Sequence, residues 1–219
     1  MSVRRDPHPG EGAMPPSSAV SATAPPAWPD TPRARAAAIA LLQALNDELL
    51  AHASATLTLE RWCAAHGLVA PEGVLAERVD AAPRPLPVEL RGQLGVGADT
   101  PVKYRHVRLT CAGRVLSEAE NWYLSGRLDA AMNHRLDTGA TPFGKAVLAL
   151  GYRRQTLEVR RLWAPTSDSD WPAATAAVLR HRALLVDGEG SPFAALEETY
   201  TGELLALARG HSSASAERR

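Results

Sequence analysis

Alternation around a short glycine turn, over residues 102–124, constrains this chain more than any other stretch. Val102, Tyr104, His106 and Arg108 interleave with Lys103, Arg105, Val107 and Leu109, and a Cys-Ala-Gly turn at 111–113 leads into a second run, 114–124. Successive side chains of a strand point to opposite sides, so this spacing predicts an antiparallel hairpin. One side of its first strand then carries Lys103, Arg105, Val107 and Leu109. Arg105 therefore points the same way as residues that belong in a core, where a cation is costly unless something negative meets it.

The rest of the chain supplies partners for that hairpin. Asp30-Thr31-Pro32 offers a cap and a first-turn proline, and Ile39, Leu41, Leu42, Leu45, Leu49 and Leu50 recur at helical spacing, which predicts an amphipathic helix of about five turns. A second helix is expected over 58–66, with Leu57, Leu59, Trp62 and Cys63 as its apolar positions and Gly67 as its stop. Residues 77–81 read as a short strand, and 86–94 as either a strand or a turn of helix. Leu128, Met132 and Leu136 mark a helix over 127–137, and Thr141-Pro142-Phe143-Gly144 turns into another helical piece over 145–150. Strands are expected over 155–163 and 178–186, then a hairpin turn at Asp187-Gly188-Glu189-Gly190 and a last strand over 192–200. That last strand ends on carboxylates whichever way it faces, with Glu197 on one side and Glu198 on the other. Hairpin-linked strands with helices before and between predict an α+β fold: an antiparallel sheet of about six strands with helices covering one face. Residues 33–208 are read as one domain, flanked by a Pro/Ser-rich disordered tail over 1–32 and a polar tail over 209–219.

Composition removes several function classes. The 24 basic and 24 acidic residues leave no net charge, which argues against a nucleic-acid or anionic-membrane binder. No apolar run is long enough to span a bilayer, and no secretory signal is read at the N-terminus, so a cytoplasmic protein is expected. Cys63 and Cys111 fall on different predicted elements and form no CxxC pair, so neither a zinc site nor a disulfide framework is suggested. The histidines, His106 and His181 among them, are scattered, and no metal or other cofactor is expected. There is no GxGxxG after a strand, no phosphate-binding GxxxxGK followed by Ser or Thr, no HExxH and no GxSxG. What remains is an arginine on a sheet, a Gly-Pro loop and a carboxylate on a late strand, which suit a small carboxylated ligand gripped by a two-point guanidinium contact.

Arg105-xxx-Leu109-xxx-Gly113, then Leu128, Thr141-Pro142-x-Gly144, and Gly190-Ser191-Pro192 with Glu197 beyond it form an ordered set that resembles the chorismate lyase family. The similarity reaches from about Ile39 to Leu205. It implies an antiparallel sheet, a ligand buried beneath flaps and no cofactor. It also implies roles: Arg105 on the ring carboxylate, the Phe143 N–H beside Gly144 as a second donor, Glu197 at the 4-oxygen as the catalytic partner of Arg105, and Leu57 or Leu59 lining the flap. The reaction would be a carbon–oxygen lyase step, from chorismate to 4-hydroxybenzoate and pyruvate as in ubiquinone biosynthesis, in a monomer. Two strand ends depart from the family pattern, at Ala119-Glu-Asn-Trp-Tyr-Leu-Ser125 and at Glu197-Glu-Thr-Tyr-Thr201. They keep a second expectation open: a non-catalytic domain of the same fold that binds an aromatic acid, as effector domains of some bacterial transcription regulators do. No helix-turn-helix is read ahead of the domain, so a complete regulator is not expected.

Overall fold

The computed structural model describes residues 29–68, 70–164 and 171–208. The tails expected over 1–32 and 209–219 lie outside those residues, apart from 29–32. Two helices open the chain. Helix α1 (Pro32–Ala51) starts on a proline, and the Thr31 side chain accepts from the Ala34 N–H. It buries Ala34, Ala38, Leu42, Leu45 and Leu49, a stripe at three- and four-residue spacing. Of the apolar positions read from sequence, Ile39 and Leu50 instead face solvent. Each fully buried leucine contributes about 1.5–3 kcal/mol. Helix α2 (Ala55–Ala65) begins earlier than expected because Ser54 caps it, its hydroxyl accepting from the Leu57 N–H.

Six strands follow: β1 (Leu75–Arg78), β2 (Lys103–Cys111), β3 (Arg114–Tyr123), β4 (Arg153–Arg161), β5 (Ala177–Val186) and β6 (Pro192–Thr201). Their order is β1-β2-β3-β6-β5-β4, with every neighbouring pair antiparallel. The expected hairpin is β2–β3, reversing at Ala112-Gly113, both with positive φ. The undecided stretch over 86–94 forms helix α3 (Val88–Leu94), which follows Pro87 and ends on left-handed Gly95. Helices α4 (Ala130–Thr138, capped by Asp129) and α5 (Phe143–Ala146) lie between β3 and β4.

Register fixes two faces. Arg105 pairs with Asn121, Asn121 with Leu196 and Leu196 with Ala183, so these four share one face. The next row on that face is Val107, Ala119, Glu198 and His181. Helices α1, α2, α4 and α5 cover it, in two apolar clusters centred on Leu45, Leu59 and Tyr200 and on Tyr123, Phe143 and Phe193. The other face carries His106, Glu120, Glu197 and Arg182 in one row. It is not bare, as a one-sided cover would leave it: Leu86, Leu90 and Leu94 pack on Trp122, Leu184 and Ala195 at one end.

Candidate functional site

Arg105 sits in the middle of the helix-covered face and is 3% exposed. Its Nη2 donates to the Thr141 carbonyl at 3.0 Å, while Nε and Nη1 are buried without a hydrogen-bond partner. No carboxylate among the described residues forms an ion pair with it. Burial, and then repulsion from Arg78, push its pKa down from the usual arginine value to about 10. The side-chain oxygen of Asn121, directly across the strand pair, is likewise buried and unpartnered. The carbonyl that holds Arg105 belongs to the Thr-Pro-Phe-Gly loop, so Phe143 and Gly144 arrive beside it. Phe143 opens α5, and the first N–H groups of a helix have no carbonyl behind them.

Beneath α2 and α5 lies a narrow cavity of ≈ 20 Å³. Asn121, Leu196 and Glu198 form part of its floor, and Thr56, Phe143 and Gly144 part of its ceiling. Tyr152 and Arg154 close one end. Such a space holds about one water and is far smaller than the roughly 300 Å³ of a small-molecule pocket. The ceiling is fastened by the Glu60–Lys145 ion pair between α2 and α5, and by the Val74 N–H donating to Glu60 at 2.7 Å. Gly144 has no room for a side chain: a Cβ there would stand 2.8 Å from the Tyr152 hydroxyl and 3.3 Å from that of Ser54.

The charged groups that line this cavity are Arg154 and Glu198, with Arg105 behind Asn121 rather than on its wall. Arg154 Nη2 donates to Glu198 Oε2 at 2.5 Å, with the two side chains only 4% and 8% exposed, and the Tyr200 hydroxyl donates to the same oxygen at 3.1 Å. Burial, the largest single effect, pulls the Arg154 pKa down, but the Glu198 charge, its hydrogen bond and the Tyr200 and Tyr152 phenols together outweigh it and hold the guanidinium above its usual range. His181, in Glu198's row, is fully buried, donates from Nε2 to Asn46 Oδ1 (2.9 Å), and is pushed down to about 4, by burial first and then by Arg154. From the sheet spacings, Glu198 stands about 12 Å from Arg105 between α-carbons, two strands over and one row along.

The sequence-predicted residues therefore divide. Arg105, Phe143 and Gly144 come together. Leu59 is wholly inside the core and Leu57 is half-buried; the α2 residues that meet the cavity are Ala55 and Thr56. Glu197 requires correction. Its partner across β3 is Glu120, not Asn121, which puts it on the opposite face from Arg105. There it is enclosed by Arg182 Nε at 2.9 Å, Arg180 Nη1 at 3.7 Å and Arg84 Nη2 at 3.9 Å, beside an open groove of ≈ 410 Å³. Arg105 and Glu197 thus cannot act on one ligand. Sequence reasoning named Glu198 only as the alternative facing, and passed over Asn121 and Arg154 altogether. Among the described residues, no three His, Cys, Asp or Glu side chains gather as metal ligands, and no helix is long and apolar enough to cross a membrane.

Comparison with known proteins adds the following. No family model matches the chain. It is 43% identical over 191 residues, 81% of each chain, to the uncharacterized protein y4mC of Sinorhizobium fredii. Among solved structures it is similar to the effector domain of PhnF from Mycobacterium smegmatis (18% identity, TM-score 0.47, covering 69% of this chain and 90% of that one). Against the longer PhnF chain the values are 17% and 0.48, and the match spans 65% of that chain. It is also similar to a GntR-family transcriptional regulator from Enterococcus faecalis (12%, TM-score 0.41, covering 58% and 94%). Likeness at this level leaves function to be read from the site. The expectation of a carbon–oxygen lyase is overturned by the geometry: the catalytic pair on which it rested is split between the two faces of the sheet.

Proposed function

Because the chain belongs to one family with the y4mC protein of Sinorhizobium fredii, itself without an assigned activity, function has to come from the site; we propose that the domain binds a small organic acid, without turning it over, on the helix-covered face of its sheet. The observation that carries this reading is the Arg105 guanidinium, buried with two N–H groups that nothing in the protein satisfies. An unpaired buried charge costs several kcal/mol, and a carboxylate that accepts from Nε and Nη1 in the two-point manner removes that cost. The loop that already holds Nη2 presents the Phe143 amide to the same ligand. Beyond Asn121 the floor is apolar at Leu196 and Ala119 and then polar again at Glu198 and Arg154. This sequence of surfaces fits an acid with a flat apolar body and a hydroxyl at its far end, as in 4-hydroxybenzoate. The PhnF and GntR-family structures are named as regulators and an effector domain, which is in keeping with sensing.

Ligand must lift the ceiling, since the narrow cavity has room for about one water. The Glu60–Lys145 pair is the fastening that has to give. Isothermal titration with 4-hydroxybenzoate, and with neutral 4-hydroxybenzamide as control, tests the reading. Binding of the acid with little or none of the amide is expected. Equal affinity for both, or no binding of either, would remove the role assigned to Arg105.

A further inference from the structure

The two cysteines, separate in the sequence reading, meet in the fold. Cys63 on α2 and Cys111 at the end of β2 are both free, 2% and 1% exposed, and packed in the same core cluster. The two thiols are neighbours, Cys111 being the group that after burial acts most on Cys63. Both also line an open groove of ≈ 610 Å³, where Gly67, Gly73, Glu60 and Lys145 form part of the wall. Each thiol thus has the other near it in the core and a path for a small oxidant. We propose that Cys63 and Cys111 are a modification site: a reversible disulfide pair, closed by a hydroperoxide-class oxidant, that ties α2 to β2.

The chemistry balances without a cofactor. With hydrogen peroxide, one sulfur, as thiolate, attacks a peroxide oxygen, the O–O bond breaks, and the departing hydroxide takes up the proton the thiol gave up and leaves as water, giving a sulfenic acid. The second sulfur attacks that sulfenic sulfur, the S–O bond breaks, and a second water leaves. Two thiols and one peroxide become one disulfide and two waters, each sulfur losing one electron and the peroxide gaining two. Burial, with Cys111 beside it, holds the Cys63 thiol above its ordinary pKa. Thiolate is the reactive form, so closure is slow at neutral pH and quickens as pH rises.

The bridge has a consequence for the ligand site, which rests on the function proposed above. Helix α2 provides Ala55 and Thr56 to the ceiling, and β2 carries Arg105. A covalent tie between them restrains the movement that admits ligand, so the oxidised protein should take up 4-hydroxybenzoate about tenfold more slowly.

The test uses the full chain, oxidised with hydrogen peroxide, quenched, denatured, alkylated and mapped by mass spectrometry. A Cys63–Cys111 cross-linked peptide that a reductant removes, and that is absent from Cys63→Ser and from Cys111→Ser, is expected. Two alkylated thiols after oxidation, an intermolecular link, or sulfinic acid without a cross-link would overturn the pair. A bridge with unchanged 4-hydroxybenzoate association would overturn the restraint on the ceiling. A bridge in a protein that binds no 4-hydroxybenzoate in either redox state would sustain the modification site and remove the ligand reading instead.

Discussion

Replacing Arg105 with methionine should stabilise the empty protein while abolishing its response to ligand. The guanidinium's pKa is pushed down from the usual arginine value to about 10, and at 1.36 kcal/mol per unit that is a deficit of about 3 kcal/mol in the charged form. For a basic group held below its usual value, the deficit is full at every pH below about 10 and shrinks only as pH rises from there toward the usual arginine value. Methionine fills similar space without the charge. Against the gain stands the bond from Nη2 to the Thr141 carbonyl, worth about 1 kcal/mol. The net is about 2 kcal/mol in favour of the variant, or a rise in Tm of about 4–8 °C for a domain of this size. Wild-type protein at a hundredfold excess of 4-hydroxybenzoate over Kd should gain about 2.7 kcal/mol, and the variant none. Thermal unfolding followed by circular dichroism, with and without ligand, reads both effects. A variant that melts lower than wild type when empty, yet still shifts with ligand, would refute the reasoning, because it would make Arg105 a structural residue and place the ligand elsewhere.

Four other outcomes follow from the geometry. Glu198→Ala strips Arg154 of its buried partner and should cost about 3–5 kcal/mol in denaturant unfolding. Glu197→Ala lies across the sheet, among arginines that reach solvent, and should leave 4-hydroxybenzoate affinity unchanged by titration. His181, pushed down to about 4 from 6.5, takes up a proton more readily unfolded than folded, so stability should fall as pH drops from 6.5 to 4; His181→Gln should flatten that part of the pH–stability curve. Gly144→Ala drives a methyl into the Tyr152 hydroxyl and should cost about 1–3 kcal/mol by urea unfolding.

Much of this fold was legible because local rules agree with the final packing. Alternation gave the β2–β3 hairpin and placed Arg105 with Val107 and Leu109 on the inward side, which is where they lie. The leucines of α1 and the Thr31 cap gave its span. Reading failed where the answer depends on a partner far along the chain. The last strand runs Ala-Ala-Leu-Glu-Glu, and nothing within it says which glutamate faces the helices; that is decided by Asn121 pairing with Leu196 rather than Glu197. A slip of one residue moves every side chain to the other face, and it carried the supposed catalytic carboxylate away from Arg105. Arg154 gave no signal because most of β4 is exposed and the one inward arginine is set by the packing of a neighbouring strand. The Cys63–Cys111 proximity, made by a helix crossing a strand, likewise leaves no spacing to read.

The central claim is that the unpaired N–H groups of Arg105 await a carboxylate. A crystal structure of the protein with 4-hydroxybenzoate tests it most directly. The account predicts the carboxylate within hydrogen-bonding distance of Arg105 Nε and Nη1, the phenol directed toward Glu198 and Arg154, and α2 and α5 displaced from their closed positions. Ligand bound in the groove beside Glu197, or Arg105 untouched under a closed ceiling at saturating ligand, would contradict it.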